Sequence, residues 1–96
     1  ELEKRRQYLL EELNKMEGLS YITPEGAFYL FINIAGFGLS SLEFSRRLLE
    51  EKGLATVPGS AFGPSGEGYI RISYATSPQE IEKGVSLLRA FLADLY

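Results

Sequence analysis

The stretch from Ser60 to Ala75 constrains this chain more than any other. A glycine-rich turn runs into Gly68-Tyr69-Ile70-Arg71-Ile72-Ser73-Tyr74, whose residues alternate with the period of a β-strand. Ile70, Ile72 and Tyr74 then share a face that meets a core, and Tyr69, Arg71 and Ser73 share the other. A guanidinium is always charged and planar, with five donors. Carried on a strand rather than a loop, it suits two-point capture of a carboxylate or phosphate. For a lone arginine the simpler reading is a structural or surface ion pair, and the strand alone does not choose between the two.

The periods along the rest of the chain change in a clear order. Leu2, Leu9, Leu10, Leu13 and Met16 recur at helical spacing, and Gly18 is placed to end a helix over about residues 2–17. Leu19–Ile22 and Ala27–Ile34 read as strands joined by the turn Thr23-Pro24-Glu25-Gly26. In the longer strand Phe28, Leu30, Ile32 and Ile34 face one way, while Ala27, Tyr29, Phe31 and Asn33 face the other. Both faces are apolar, as in a strand covered on both sides or docked on another domain. Ser40 with Glu43 three residues on is a capping-box pattern for a helix running to Lys52 and ended by Gly53. Its expected buried stripe is Leu42, Phe44, Ser45, Leu48 and Leu49.

Residues 54–62 read as a further strand, bent at Pro58-Gly59. Gly59–Gly68 lacks the lysine and Ser/Thr of a phosphate-binding loop and leads into a strand rather than a helix, so it reads as a connection that delivers Arg71. Ser77-Pro78-Gln79-Glu80 starts the last helix with a serine cap, proline at the first position and glutamate at the third. Ile81, Val85, Leu88, Leu92 and Leu95 form its core stripe. Gly84 interrupts that helix and marks an expected close approach of another element. The expected fold class is therefore α+β, a two-layer α/β sandwich. About three helices cover one face of a small, largely antiparallel sheet made from residues 27–34, 54–62 and 69–75, with an extra short strand at 19–22.

Composition narrows the chemistry. At 96 residues the chain is a single domain, residues 1–96, that buries only about 60–65% of its unfolded surface. Cysteine and histidine are both absent, which removes disulfides, thiolate nucleophiles, imidazole acid–base catalysis and the usual zinc sites. No metal site is expected, and any chemistry must use Arg, Lys, carboxylate or Tyr. A net charge of −3 with mixed signs along the helices argues against a nucleic-acid surface or a polybasic membrane anchor. No apolar run approaches the roughly 20 residues that span a bilayer, and the stretch from Glu1 to Arg6 lacks a signal peptide's apolar core, so a cytoplasmic setting is expected.

Several blocks, in order, carry a resemblance: Pro24-Glu25-Gly26-Ala27-Phe28-Tyr29, Ser41-Leu42-Glu43-Phe44, Val57-Pro58-Gly59-Ser60-Ala61-Phe62-Gly63, and Gly68-Tyr69-Ile70-Arg71-Ile72-Ser73-Tyr74-Ala75 before a closing amphipathic helix. Together they resemble the carboxy-terminal small domain of class I/II aminotransferases, fold-type-I enzymes that use pyridoxal phosphate, and the likeness spans nearly the whole chain. It implies that Arg71 grips the α-carboxylate of an amino-acid or 2-oxo-acid substrate. It also implies that Phe28 and Tyr29 neighbour the substrate cleft, and that the domain closes that cleft.

The cofactor-holding lysine and the aspartate on the pyridine nitrogen would belong to a large partner domain of a homodimeric parent. Lys4, Lys15, Lys52 and Lys83 are expected on charged helix surfaces, none in that lysine's sequence context, so the resemblance implies no cofactor, no catalytic residue and no activity on this chain alone. Two readings from other classes stand beside this one. The first is a stand-alone, non-catalytic amino-acid-binding or regulatory module built on Arg71. The second is an RNA-recognition strand at residues 26–31, disfavoured by Glu25 where a basic residue is wanted and by the net acidity.

Overall fold

The computed structural model describes residues 2–96; Glu1 lies outside them. Three α-helices and four strands follow in the order α1 (Leu2–Asn14), β1 (Ser20–Ile22), β2 (Tyr29–Asn33), α2 (Ser41–Lys52), β3 (Val57–Pro58), β4 (Tyr69–Ser73) and α3 (Pro78–Leu95). The strands form one sheet in the order β1-β2-β4-β3, every neighbouring pair antiparallel. The helices pack against one face, so the architecture is the α+β two-layer sandwich that the sequence periods predict.

The β2–β4 register organises both layers. Leu30 lies opposite Ile72 and Ile32 opposite Ile70, while Phe31 lies opposite Arg71 and Tyr29 opposite Ser73. Because side chains alternate across a strand, the first two pairs point to the helices and the second two away from them. Leu30, Ile32, Ile34 and Ile70 are fully buried against Phe44 and Leu48 of α2 and Val85, Leu88, Phe91 and Leu92 of α3. The Phe44 and Phe91 rings meet edge to face at 5.1 Å, and α1 adds Leu9, Leu13 and Met16 to the same cluster.

The helix starts follow their caps. The Ser40 hydroxyl accepts from the Glu43 N–H at 3.1 Å, and Ser77 does the same for Glu80 at 3.1 Å. Only half of the capping box forms at α2, because the Glu43 carboxylate pairs with Arg46 one turn on. At its other end Gly53, with φ of 75°, sends its N–H back to Leu48 and Leu49.

Five boundaries and one helix face differ from the sequence reading. β1 begins at Ser20 rather than Leu19 and β2 spans Tyr29–Asn33 rather than 27–34, because the ladders end at the Ser20–Asn33 and Tyr29–Ser73 pairs. Helix α1 stops at Asn14, short of residue 17, because its last turn tightens: Lys15 and Met16 donate to carbonyls only three residues back. That turn tucks Met16 into the core before Gly18, at φ of 88°, hands over to β1. The third strand is Val57–Pro58 rather than 54–62, since Pro58 has no N–H for the ladder and 3-10 turns follow at once over Gly59–Phe62 and Pro64–Gly66. β4 ends at Ser73. In α2, Leu42 and Leu49 are 62% and 52% exposed, and the buried face is Ser41, Phe44, Ser45 and Leu48.

Gly84 also departs from its expected role. A Cβ at this position would sit 3.6 Å from Leu54 Cδ1, an ordinary van der Waals distance, so nothing in the packing demands glycine. Replacing it with alanine removes the entropic cost of a mid-helix glycine, and Gly84→Ala is expected to raise stability by about 0.5–1 kcal/mol in chemical unfolding. A loss of stability would show that the helix needs the gap.

Candidate functional site

The face of the sheet that turns away from the helices carries Tyr29, Phe31, Tyr69 and Arg71, all half-buried. Arg71 sits on β4, an interior strand with β2 on one side and β3 on the other, where Val57 lies opposite it. Its backbone is fixed by two ladders, so only the side chain has freedom.

Two aromatic rings take up much of that freedom. The guanidinium carbon lies 4.9 Å from the centroid of the Tyr29 ring and 4.9 Å from that of Phe62. Both distances are within cation–π range. Phe31 braces both rings edge to face, at 5.6 Å from Tyr29 and 5.8 Å from Phe62. Four other arginines are paired with carboxylates: Arg6 with Glu3, Arg46 with Glu43 and Glu50, Arg47 with Glu51, Arg89 with Glu12; among the described residues the other without one is Arg5, on α1 and far in sequence from this strand, whose buried Nε has no hydrogen-bond partner. Among the described residues Arg71 has no carboxylate partner and no hydrogen-bond acceptor, so its donors have nothing to satisfy them but solvent or a ligand.

Of the residues that the sequence singles out, the structure brings Tyr29 to Arg71 and leaves Phe28 apart. Phe28 precedes β2, is 53% exposed, and has the opposite side-chain parity. Its contribution is its carbonyl, which accepts from the Tyr74 N–H at 2.9 Å and the Ser73 hydroxyl at 3.2 Å and so extends the β2–β4 pairing by one step. Phe62 is the residue that sequence reading did not single out. It lies in a glycine-rich loop with no period to say where a ring points.

That loop is more than a connection. It folds back over the open face of the sheet, and its glycines are needed for close backbone approach. A Cβ on Gly59 would lie 1.9 Å from the Gly66 carbonyl oxygen, and one on Gly66 would lie 2.1 Å from that of Gly59. Both ends of the loop meet at the start of α2. The Glu67 carboxylate accepts from the Ser41 N–H at 2.8 Å and from its hydroxyl at 3.0 Å, while the Ser60 N–H donates to the same hydroxyl at 3.2 Å. Ser41 is fully buried. The carboxylate thus caps a helix N-terminus, where the backbone dipole favours negative charge. Donation from the Ser41 N–H, then from its hydroxyl and from the Gly68 N–H, holds the Glu67 carboxyl below its ordinary value.

A concavity of about 370 Å³ opens between α3 and the edge of the sheet, lined by Leu54, Ile72, Ile81, Gly84, Val85 and Leu88 among others, with Arg71, Ser73 and Glu80 also on its wall. Its walls are mostly apolar and no lysine lines it. Among the described residues no cluster of His, Cys, Asp or Glu could hold a metal ion, and no helix is long and apolar enough to cross a membrane.

The comparisons with known proteins bear on this geometry. The family described as aminotransferase class I and II matches residues 1–88. This chain belongs to the class I and II aminotransferases. It is 46% identical over 94 residues to aromatic-amino-acid aminotransferase 2 of Thermococcus litoralis, covering 98% of this chain and 24% of that protein. It is equally 46% identical over 94 residues to an aspartate aminotransferase of Pyrococcus abyssi, again over 98% of this chain and 24% of the relative. Among solved structures, the aromatic aminotransferase from Pyrococcus horikoshii superposes with a TM-score of 0.92 at 44% identity, over 100% of this chain and 26% of that one. The chain therefore spans about a quarter of the length of the aminotransferases it matches.

Two outcomes are expected from the loop. Gly59→Ala forces a backbone clash that no side-chain movement relieves, so it should lower stability by about 3 kcal/mol or more, at the upper end of overpacking costs. The second concerns pH. Folding lowers the Glu67 pKa from its ordinary value of 4.5. The stability this carboxylate contributes is therefore complete above that pH and lost as the pH falls through the lower folded value. In thermal unfolding below pH 4.5, Glu67→Gln should show a shallower fall with acid than the unaltered chain. Glu12 and Glu43, also lowered by their cation partners, keep the slope from vanishing. An unchanged slope would mean that the loop contact is not made.

Proposed function

We propose that this chain acts as the small domain of a longer aminotransferase that moves an amino group between an amino acid and a 2-oxo acid, and that Arg71 binds the substrate α-carboxylate. One observation carries the reading: a guanidinium on an interior strand, half-buried beside two aromatic rings, with no acidic partner among the described residues. Leaving a charge so placed unpaired costs free energy unless an anion arrives, and a planar carboxylate offers two oxygens to the fork. That the chain matches one quarter of its relatives' length supports placing the remaining chemistry in another domain.

Pyridoxal phosphate is the cofactor that the family implies, and the residues of this chain do not make a seat for it. Lys15 and Lys52 are committed to Glu12 and Asp94, Lys83 lies on an exposed helix face, Lys4 lines a smaller concavity with Arg5 and Glu82, and the larger concavity is mostly apolar with no lysine on its wall. The cofactor, which supplies an electron sink for carbanion chemistry, belongs in this reading to the large partner domain. This chain's part is to hold the carboxylate end of the substrate and, by moving with its strand and loop, to close the cleft against water. The relatives are named for aromatic amino acids and for aspartate, different side chains on one shared α-carboxylate. A site that reads only the carboxylate suits both.

In the full-length protein, Arg71→Lys keeps the charge and removes the planar fork. It should lower kcat/KM toward amino acids by about 1.5–3 kcal/mol of transition-state stabilisation, with little change for amines lacking the α-carboxylate. Equal losses on both substrates, or none on amino acids, would refute the anchor. The 96-residue chain alone, treated with pyridoxal phosphate and then borohydride, should show no adduct on one specific lysine by mass spectrometry. A stoichiometric adduct would place cofactor chemistry here.

A further inference from the structure

We propose that Phe62 is a positioning residue for Arg71: with Tyr29 it holds the guanidinium in the orientation that receives a carboxylate, and the Ser41–Glu67 contact holds Phe62 in place. This rests on the reading of Arg71 as the carboxylate anchor and adds to it the device that sets the anchor's aim.

An arginine side chain has four rotatable bonds, and freezing them on binding costs free energy that a preorganised fork avoids. The Phe62 and Tyr29 rings attract the guanidinium carbon over their faces and leave the N–H donors without a protein acceptor. Aromatic contact therefore restricts the group without competing for the bonds that the ligand needs. A carboxylate in the same place would fix the arginine equally well but would occupy those donors.

Tyr29 is held by the β2–β4 ladder, where it lies opposite Ser73. Phe62 has no ladder. It is 47% exposed and follows β3 in a 3-10 turn, so its place depends on how the loop is tied down. The tie is local and polar: Ser60, two residues before the ring, donates to the buried Ser41 hydroxyl, and Glu67, five residues after it, accepts from the Ser41 N–H and hydroxyl. Between these fastenings the Gly59 and Gly66 backbones touch. The loop is thereby an arch pinned at both ends to the first residue of α2, with the Phe62 ring over Phe31 and Arg71.

The test uses the full-length enzyme, with Phe62→Leu, Phe62→Tyr, Glu67→Gln and Arg71→Lys assayed on amino acids and on amines lacking the α-carboxylate. Phe62→Leu keeps bulk and loses the ring's negative face. It should raise KM for amino acids about threefold to tenfold at near-constant kcat, the scale of one lost cation–π contact, and leave the amines unchanged. Phe62→Tyr should restore the native KM, and Glu67→Gln should shift KM in the same direction as Phe62→Leu, by less.

If Arg71→Lys loses activity toward amino acids but Phe62→Leu matches the native enzyme, the positioning role is wrong and the anchor stands. If Phe62→Leu weakens amines and amino acids equally, the ring serves general packing and the proposal fails. If Arg71→Lys costs nothing, anchor and positioning fall together. Should Phe62→Leu not fold, Glu67→Gln carries the same test: a KM rise confined to carboxylate substrates supports the arch, and no rise overturns it.

Discussion

The pairing of β2 with β4 is the contact on which the rest of the molecule depends. Its register sets Leu30, Ile32 and Ile70 under the helices, and by the same stroke it sets Tyr29, Phe31 and Arg71 on the opposite face. A slip of one residue would exchange the two sets, burying a guanidinium among leucines and exposing the core, so hydrophobic burial enforces the placement of the charge. Stability and site geometry are therefore coupled through one ladder. By covering the apolar face, the helices decide which way Arg71 points.

The second constraint is the closeness of two stretches of backbone at Gly59 and Gly66. Only glycine permits it, and it lets the segment after β3 double over the sheet instead of running on as a strand. Ser41 then serves both layers. Its hydroxyl and N–H, buried at the start of α2, join a helix on the closed face to a loop on the open one through Ser60 and Glu67. A carboxylate at a helix N-terminus that receives two further donors is well satisfied, which explains how an exposed glutamate is held so specifically.

Much of this was legible in the sequence, and the reasons for the successes and failures differ. The alternation of Ile70, Ile72 and Tyr74 against Tyr69, Arg71 and Ser73 settles strand and direction together, since period two leaves only two faces to choose from. The caps Ser40, Gly53 and Ser77 are local chemistry and read directly. Leu42 and Leu49 are exposed against expectation because leucine at helical spacing shows a stripe without saying whether anything covers it. The third strand is shorter than its sequence suggests because Val57 and Phe62 look strand-like in isolation, while the turn between them is dictated by a contact with Gly66, seven residues beyond Gly59. Phe62 escaped notice for the same reason. Its role arises from where the loop is pinned, and pinning by Ser41, about twenty residues upstream, leaves no periodic trace. The class I and II aminotransferase resemblance, by contrast, rests on several short blocks in fixed order, and a match over residues 1–88 bears it out.

The measurement that bears most directly on the central claim is a structure of the full-length protein with a 2-oxo acid or unreactive amino-acid analogue bound. The account predicts both α-carboxylate oxygens within about 2.7–2.9 Å of the Arg71 donors, the distance of charge-assisted pairs, with the Tyr29 and Phe62 rings still against the guanidinium. A carboxylate bound elsewhere, with Arg71 paired instead to an aspartate or glutamate from the rest of the protein, would contradict it.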